Sequence, residues 1–223
     1  MVLLNLHPRM NRGKAAMSSP HVDGRTLRFQ HRRPELLAAA AEYILEHGIS
    51  GLSLRPVAQA LGVTHATLLR HFSSKDELLL AVAEKVRTDL AAWLASDAEL
   101  REAHSTAELV RALWRRLCEP QEQRQFLLLF EFVGHHGERS GEDEKLSRSI
   151  VHDWIGIIAG RLVADGWPPE DASALSTLVL AQVRGLQLDL LVSGDRTRAD
   201  RAIDFAVRLL DRSPRAGGAD EHG

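Results

Sequence analysis

The most constraining feature of this sequence is a pair of short helical patterns in residues 54–73 that meet at one glycine, Gly62. Apolar residues recur at spacings of three and four on both sides of this glycine. Two short helices cross closely around a tight turn where the first carries a small residue and the second an apolar anchor. Ala58 and Leu68 supply these two residues. The pattern predicts a helix-turn-helix, with helices at about 54–61 and 65–72. Ser53 and Thr64 stand just before these helices and are expected to cap them with their hydroxyls.

Hydrophobic periodicity also predicts helix along the rest of the chain, and no segment shows sustained two-residue alternation. Aromatic residues make up only 5% of the chain, and Ala and Leu are frequent, which favours helix over sheet. We therefore predict an all-α fold. The other predicted helices lie at about 34–47, from Lys75 to beyond Trp93, and at about 105–119, 121–136, 144–165, 169–193 and 198–211.

Charge and composition narrow the range of partners. Residues 1–85 carry 11 Lys and Arg against 7 Asp and Glu, whereas residues 86–223 carry 17 against 23. A basic first part suits a polyanionic partner. The single cysteine, Cys118, cannot form an internal disulfide, and we expect it to be a small buried residue. No uninterrupted apolar run reaches the roughly 18 residues of a membrane span. These features predict a cytoplasmic protein without a membrane partner.

The helix-turn-helix continues directly into a further helix with its own start signal. Ser74 and Glu77 stand three residues apart, as in a capping box. With this continuation, the stretch at about 33–82 resembles the DNA-binding domain of the tetracycline-repressor (TetR) family. The matching residues are Ser53, Leu54, Arg55, Val57, Ala58, Gly62, Val63, Thr64, Thr67, Leu68, His71, Phe72, Ser74, Lys75 and Leu78.

The resemblance implies that the second helix of the motif enters the major groove of DNA. Leu69 stands where the family usually has a Tyr that contacts the DNA backbone, and Pro56 stands where it usually has Asp. Our hypothesis is that Arg70 takes over the phosphate contact. Arg55 and Lys75 are expected to position the backbone, and the alternative is that they are only solvated surface charges. The full set of expected DNA contacts is Arg55, Thr64, His65, Thr67, Leu69, Arg70, His71 and Lys75.

Four arginines precede or open the first predicted helix: Arg25, Arg28, Arg32 and Arg33. We predict that residues 1–31 form a flexible basic arm that reaches an adjacent minor groove; a solvated tail is the alternative. The DNA-binding domain is then expected at 32–88. A helical ligand-binding and dimerisation domain is expected at 89–212, followed by a disordered tail at 213–223.

By the same resemblance, the second domain holds a small apolar or amphipathic effector, and its last two helices pair with a second copy of the chain. Expected pocket residues are Trp93, Trp114, Phe130, His135 and Trp154, and expected interface residues are Leu178, Gln182, Leu186, Ile203, Val207 and Leu210. Plain core is the alternative for both sets. Gly185 indicates close packing, because a glycine inside a helix costs about 1 kcal/mol relative to alanine.

The sequence does not indicate an enzyme, since it lacks a nucleophile elbow, a zinc-protease motif, a phosphate-binding glycine loop and a dinucleotide fingerprint. Glu131 and His135 are four residues apart, but such a pair alone is weak evidence of a metal site, so we expect no metal or cofactor. We predict a repressor that binds a palindromic operator as a homodimer and is released when a ligand tilts the helix after Ser74. The alternative is a ligand-independent or architectural DNA-binding regulator.

Overall fold

A computed structural model describes residues 24–136 and 141–211, and in these ranges the secondary structure is helical, without strands. The predicted all-α class is therefore confirmed. The helices are α1 (Gly24–His47), α2 (Leu54–Ala60), α3 (His65–His71), α4 (Lys75–Ser96), α5 (Ala98–Glu102), α6 (Thr106–Leu117), α7 (Pro120–His136), α8 (Glu142–Ala164), α9 (Pro169–Ser193) and α10 (Arg196–Asp211). Residues 1–23, most of the predicted arm, and 212–223, including the predicted tail, lie outside the described residues.

Helix α1 begins ten residues earlier than predicted. Pro34 suits the first turn of a helix, and for that reason it marked the expected start. In the structure Pro34 instead lies inside α1, which begins at Gly24. Residues 24–31, which the sequence placed in the arm, are thus helical.

Local caps and turns fix the helix-turn-helix and its continuation. Gly62 has φ +65°, a left-handed conformation that suits glycine and turns the chain between α2 and α3. The Thr64 hydroxyl accepts a hydrogen bond from the Thr67 N–H at 3.1 Å, and the Ser74 hydroxyl accepts one from the Glu77 N–H at 3.0 Å. These two predicted caps are confirmed. Ser53 precedes α2 in extended conformation, but its side chain makes no cap hydrogen bond, so that predicted cap is wrong.

The predicted capping box is only half formed. Ser74 caps α4, but the Glu77 carboxylate does not return to Ser74. It accepts hydrogen bonds from the N–H of Ser73, at 2.8 Å, and from the Ser73 hydroxyl. These bonds lower the pKa of Glu77, and they tie the chain between α3 and α4 to the first turn of α4.

Two hydrophobic cores divide the molecule. The first joins α1–α4 to the inner face of α7 and the start of α8, and its largest fully buried side chains are Ile44, Leu68, Phe72, Leu78 and Phe132. The second lies among α4, α6, α8, α9 and α10 and includes Trp114 and Leu162. Helix α7 is therefore part of the core that supports the helix-turn-helix.

Helix α9 is long and apolar enough to cross a bilayer by length and composition, with a mean hydropathy of 1.3 over its most apolar window. Among the described residues it is the one helix that meets these criteria. It packs against α8 and α10, as a helix of the second core. Core helices of globular proteins pass the same test, so this property is weak evidence of a membrane segment.

Candidate nucleic-acid interface and internal cavity

Helix α3 presents one polar face and one apolar face. His65, Ala66 and Arg70 are exposed, while Leu68 is fully buried between the helices of the first core. A buried anchor on one side leaves the opposite side accessible, and a helix of this width fits the major groove. The arrangement supports the predicted reading face at its exposed members.

The threonines at the start of α3 serve the fold as well as the exposed face. The Thr64 hydroxyl lies 2.9 Å from that of Thr67, in addition to capping the Thr67 N–H. Thr64 is exposed and Thr67 is half-buried. A hydroxyl can donate and accept at once, so this pair fixes the first turn of α3 and retains capacity for an external partner.

Two members of the predicted DNA-binding set lie elsewhere. His71 is only 6% exposed, so its side chain belongs to the interior of the domain and not to the exposed face. Burial, aided by the positive charges of Arg70, Arg33 and Arg32, lowers its pKa below the ordinary 6.5. Leu69 is half-buried and packs against the first core. We therefore remove both side chains from the expected DNA contacts. The family pattern includes residues that pack in the domain core as well as residues that contact DNA, and the pattern alone does not distinguish them.

Arg33, which follows the predicted DNA-reaching arm in the sequence, joins three parts of the domain. Its Nε donates to the His71 carbonyl oxygen at 3.2 Å, and its Nη2 lies 3.3 Å from Glu77 Oε1. Its guanidinium also stands 4.7 Å from the centre of the Phe72 ring. Arg32 is exposed, and the side chains of Arg25 and Arg28 lie outside the described residues.

The two predicted backbone-positioning residues sit at different helix starts. Arg55 is exposed near the start of α2, and Lys75 is half-buried at the first residue of α4. Both lie in helices that adjoin α3 in the chain, and their contact with the DNA backbone stays a prediction.

The second domain contains a partly open cavity of about 330 Å³ between α4, α6, α7, α8 and α9. Its inner wall is apolar and buried, as at Val110, Leu113 and Ile158, and aromatic rings of Phe126, Phe130 and Trp154 also line it. A volume and lining of this kind are typical of small-molecule sites.

The structure brings two of the five predicted pocket residues to the cavity. Phe130 and Trp154 line it, whereas Trp93, Trp114 and His135 do not. Trp114 is 2% exposed and donates from Nε1 to Asp200 Oδ1 at 2.6 Å, which joins α6 to α10. That a residue is aromatic does not show whether it lines the cavity or packs elsewhere in the fold.

Three polar cavity residues, Glu122 on α7 and two on α9, were missed by sequence reasoning. Arg184 and Gln187, both on α9, line the cavity. Arg184 Nη2 donates to the Ile150 carbonyl oxygen of α8 at 2.8 Å, and Gln187 is only 3% exposed. The available signal was weak, because the mainly apolar 178–192 stretch of α9 holds four polar residues, and only the structure shows that Arg184 and Gln187 are the two that reach the cavity.

Helix α7 contacts both the cavity and the DNA-binding domain. Phe130 lines the cavity, while the neighbouring Glu131 accepts a hydrogen bond at Oε2 from the Ile49 N–H, at 3.1 Å. The Nδ1 of His135 lies 2.8 Å from the Glu131 carbonyl oxygen, within the helix. Over the described residues no cluster of three or more His, Cys, Asp or Glu side chains could hold a metal ion. The Glu131 carboxylate thus holds the segment between α1 and α2.

The outer surface of α9 and α10 carries exposed apolar side chains. Leu178 is 60% exposed, Val192 83% and Phe205 59%. Of the predicted interface residues, Leu178 and Gln182 are exposed and Leu186 is half-buried; Ile203 and Val207 are buried in the second core, and the Leu210 side chain is not described. The prediction is therefore wrong for Ile203 and Val207, which pack inside the same chain. Periodicity locates the apolar face of a helix but does not show whether the same chain or a partner packs against it.

Comparison with known proteins agrees with the geometry of the motif. Residues 36–82 match the model of bacterial regulatory proteins of the tetR family. The chain is 34% identical over 109 residues to the transcriptional regulatory protein RaaS of Mycobacterium tuberculosis, a match that covers 38% of the chain and 51% of RaaS. It is 25% identical over 182 residues to the transcriptional regulator CymR of Pseudomonas putida, covering 78% of the chain and 87% of CymR. The chain thus spans about half the length of the first relative and most of the second.

Solved structures share the fold over most of the chain. A transcriptional regulator from Rhodococcus sp. superposes with a TM-score of 0.69 at 24% identity, covering 82% of this chain and 99% of that one. A transcriptional regulator from Saccharomonospora viridis, in complex with choline, gives a TM-score of 0.67 at 19% identity, covering 82% and 97%. At these identities the likeness concerns the fold alone. Its helix-turn-helix, its family match over residues 36–82 and its regulator relatives make this chain similar to the DNA-binding transcriptional regulators of the TetR family.

Proposed function

We propose that this protein is a cytoplasmic repressor that binds a palindromic operator as a homodimer and is released by a small-molecule effector. The observation that carries the proposal is one helix, α7, that lines an apolar cavity with Phe130 and holds the DNA-binding domain with Glu131. A cavity coupled to a DNA-reading domain is what an effector-responsive regulator requires.

For DNA binding, we propose that His65, Thr67 and Arg70 reach the major groove, with Thr64 beside them and Arg55 and Lys75 near the phosphates. Arg70 tests the proposal most directly because its side chain is exposed on α3. Replacing a cation that contacts phosphate weakens binding to all sequences and lowers the salt slope by about 1. Arg70→Ala should show both effects in fluorescence anisotropy with DNA from upstream of the protein's own gene.

Arg101→Ala is the matched control for this measurement. Arg101 lies on α5, in the second domain, so its loss changes the net charge equally without altering the α3 face. Equal salt slopes for Arg70→Ala and the unmodified protein would remove Arg70 from the interface.

For the dimer, we propose that the exposed faces of α9 and α10 pair around a two-fold axis. Leu178, Gln182 and Phe205 present such a face, and exposed apolar surface of this extent is characteristic of interaction sites. A buried charge at the centre of an interface is strongly unfavourable, so Leu178→Glu should yield monomers in light scattering. Ile157→Glu, on the outer face of α8, is the control, since Ile157 is also exposed, at 46%. Monomers from Ile157→Glu alone would move the interface to α8.

For effector release, we propose that cavity filling displaces α7 together with α4, the helix that runs from the DNA-binding domain into the second core. A dimer must present its recognition helices about 34 Å apart to match successive major grooves, so a small displacement lowers affinity. Glu131→Gln keeps the shape of the side chain and weakens its bond to Ile49. This variant should bind effector normally but release DNA less completely. Failure of a broad ligand screen to release DNA would favour a ligand-independent regulator.

A further inference from the structure

The polar groups of the cavity are unequally satisfied. Arg184 carries five N–H donors and, among the described residues, makes one hydrogen bond, to the Ile150 carbonyl oxygen, and no ion pair. Arg184 is half-buried, and a guanidinium partly withdrawn from water normally faces a carboxylate or phosphate. Burial lowers the pKa of Arg184, and no neighbouring carboxylate offsets this effect. The guanidinium therefore lines the apolar space without its usual counter-ion.

Gln187 adds a second unsatisfied polar group to the same wall. Its side chain is 3% exposed, it lines the cavity, and its Nε2 has no hydrogen-bond partner among the described atoms. An unsatisfied buried amide is costly, so a bound molecule that pairs with it gains affinity. An amide can present either its donor or its acceptor edge, and the charge of Arg184 decides which kind of ligand the wall attracts.

One carboxylate, Glu122, also lines the cavity, from the first turn of α7. It is half-buried, so water can still reach it, and no ion pair joins it to Arg184 within the described chain. Arg184 is half-buried as well, but burial lowers its pKa, and it shares the α9 wall with the unsatisfied Nε2 donor of Gln187, so the two donors together favour an anion. The cavity therefore favours a negatively charged ligand.

We propose that the cavity takes an amphipathic monocarboxylate, whose carboxylate pairs with Arg184 and Gln187 and whose apolar body lies against Phe126 and Trp154. This inference rests on the proposed effector function and specifies its ligand class. It differs from the choline complex of the Saccharomonospora viridis regulator, whose ligand is a cation.

The test compares three probes that share a ten-carbon chain and differ in head group: decanoate, decanol and decyltrimethylammonium. Isothermal titration calorimetry on the full chain should show decanoate binding about tenfold or more tightly than either other probe, the size expected of a charge-assisted hydrogen bond. In Arg184→Met this preference should disappear while decanol affinity stays the same. Arg124→Met is the control, because Arg124 is exposed on α7 and does not line the cavity.

Arg184→Lys covers the case in which Arg184→Met does not fold, since lysine restores a positive charge and should retain the preference for decanoate. Equal binding of decanoate and decanol, or binding of none of the three probes, would overturn the proposal. Tightest binding of decyltrimethylammonium, abolished in Glu122→Gln, would also overturn it and indicate a cation site. Decanoate that binds with the expected preference but leaves operator DNA bound supports the ligand class and contradicts only the proposed release.

Discussion

Arg33 offers the sharpest test of how the DNA-binding domain is held together. Sequence reasoning placed this residue next to an arm that reaches DNA, whereas in the structure it bonds to the His71 carbonyl and Glu77 and stacks on Phe72. The first role predicts a loss of DNA affinity on substitution. The second predicts a loss of stability.

The expected size follows from the three contacts of Arg33. The ion pair with Glu77 is worth about 0.5 kcal/mol, because the two side chains are 44% and 37% exposed and solvent screens them. The hydrogen bond to the carbonyl of His71 adds about 1 kcal/mol, and the cation–π contact with Phe72 about 0.5 kcal/mol. Arg33→Ala should therefore lower the free energy of unfolding by about 2 kcal/mol, or Tm by about 4–8 °C for a chain of this size.

Differential scanning calorimetry measures this loss, and Arg32→Ala is the matched control because Arg32 is an exposed neighbour on α1. Arg33→Lys keeps the charge but cannot serve all three partners, so it should lose most of the same stability and retain the salt slope of DNA binding. An unchanged Tm in Arg33→Ala, together with a salt slope lower by about 1, would refute the structural role and indicate that Arg33 contacts a phosphate.

Three further outcomes are expected. The pKa of His71 is lowered below 6.5 in the folded state, so the unfolded state binds more protons and stability falls as pH drops through about 6.5. In thermal melts, the Tm of His71→Gln should therefore decline less between about pH 7.5 and pH 5.5 than the Tm of the unmodified protein. An added Cβ at Gly185 meets no atom within 4 Å, so the higher helix propensity of alanine in Gly185→Ala should raise the free energy of unfolding by about 1 kcal/mol and Tm by about 2–4 °C. A lowered Tm with weakened dimers would show that a partner helix packs there. Burial raises the pKa of the Cys118 thiol to about 12, so iodoacetamide at about pH 8 should label the protein only after unfolding, and rapid labelling of folded protein would contradict this burial.

Features encoded by a few adjacent residues could be predicted from the sequence. Thr64 and Ser74 cap their helices as expected, and Gly62 turns the chain, because each acts within three or four residues of itself. Helix α9 has the predicted bounds, since Pro169 opens it and Gly194, with φ +67°, ends it. Helix α5 was missed because it has only five residues and its periodicity is too short to detect.

Features that depend on distant partners could not be predicted in the same way. Val207 and Phe205 both belong to the apolar pattern of α10, yet Val207 is fully buried and Phe205 is 59% exposed. Only the packing of α10 against α6 and α9 separates them. His71 likewise follows the family pattern, but its burial depends on the domain core and its nearby cations lie on α1 as well as α3. The unpaired Arg184 became a candidate anchor only when the cavity beside it was visible.

The adjacency of Phe130 and Glu131 on α7 has a pharmacological consequence. Consecutive helix residues point about 100° apart but move as one rigid piece, so a ligand acts on the DNA-binding domain only if it displaces the helix as well as filling the cavity. A ligand with equal affinity for the DNA-bound and released states does not shift the equilibrium between them, however tightly it binds. Potency and efficacy are then separate properties. Close analogues of one effector should include full agonists, partial agonists and antagonists that occupy the same cavity.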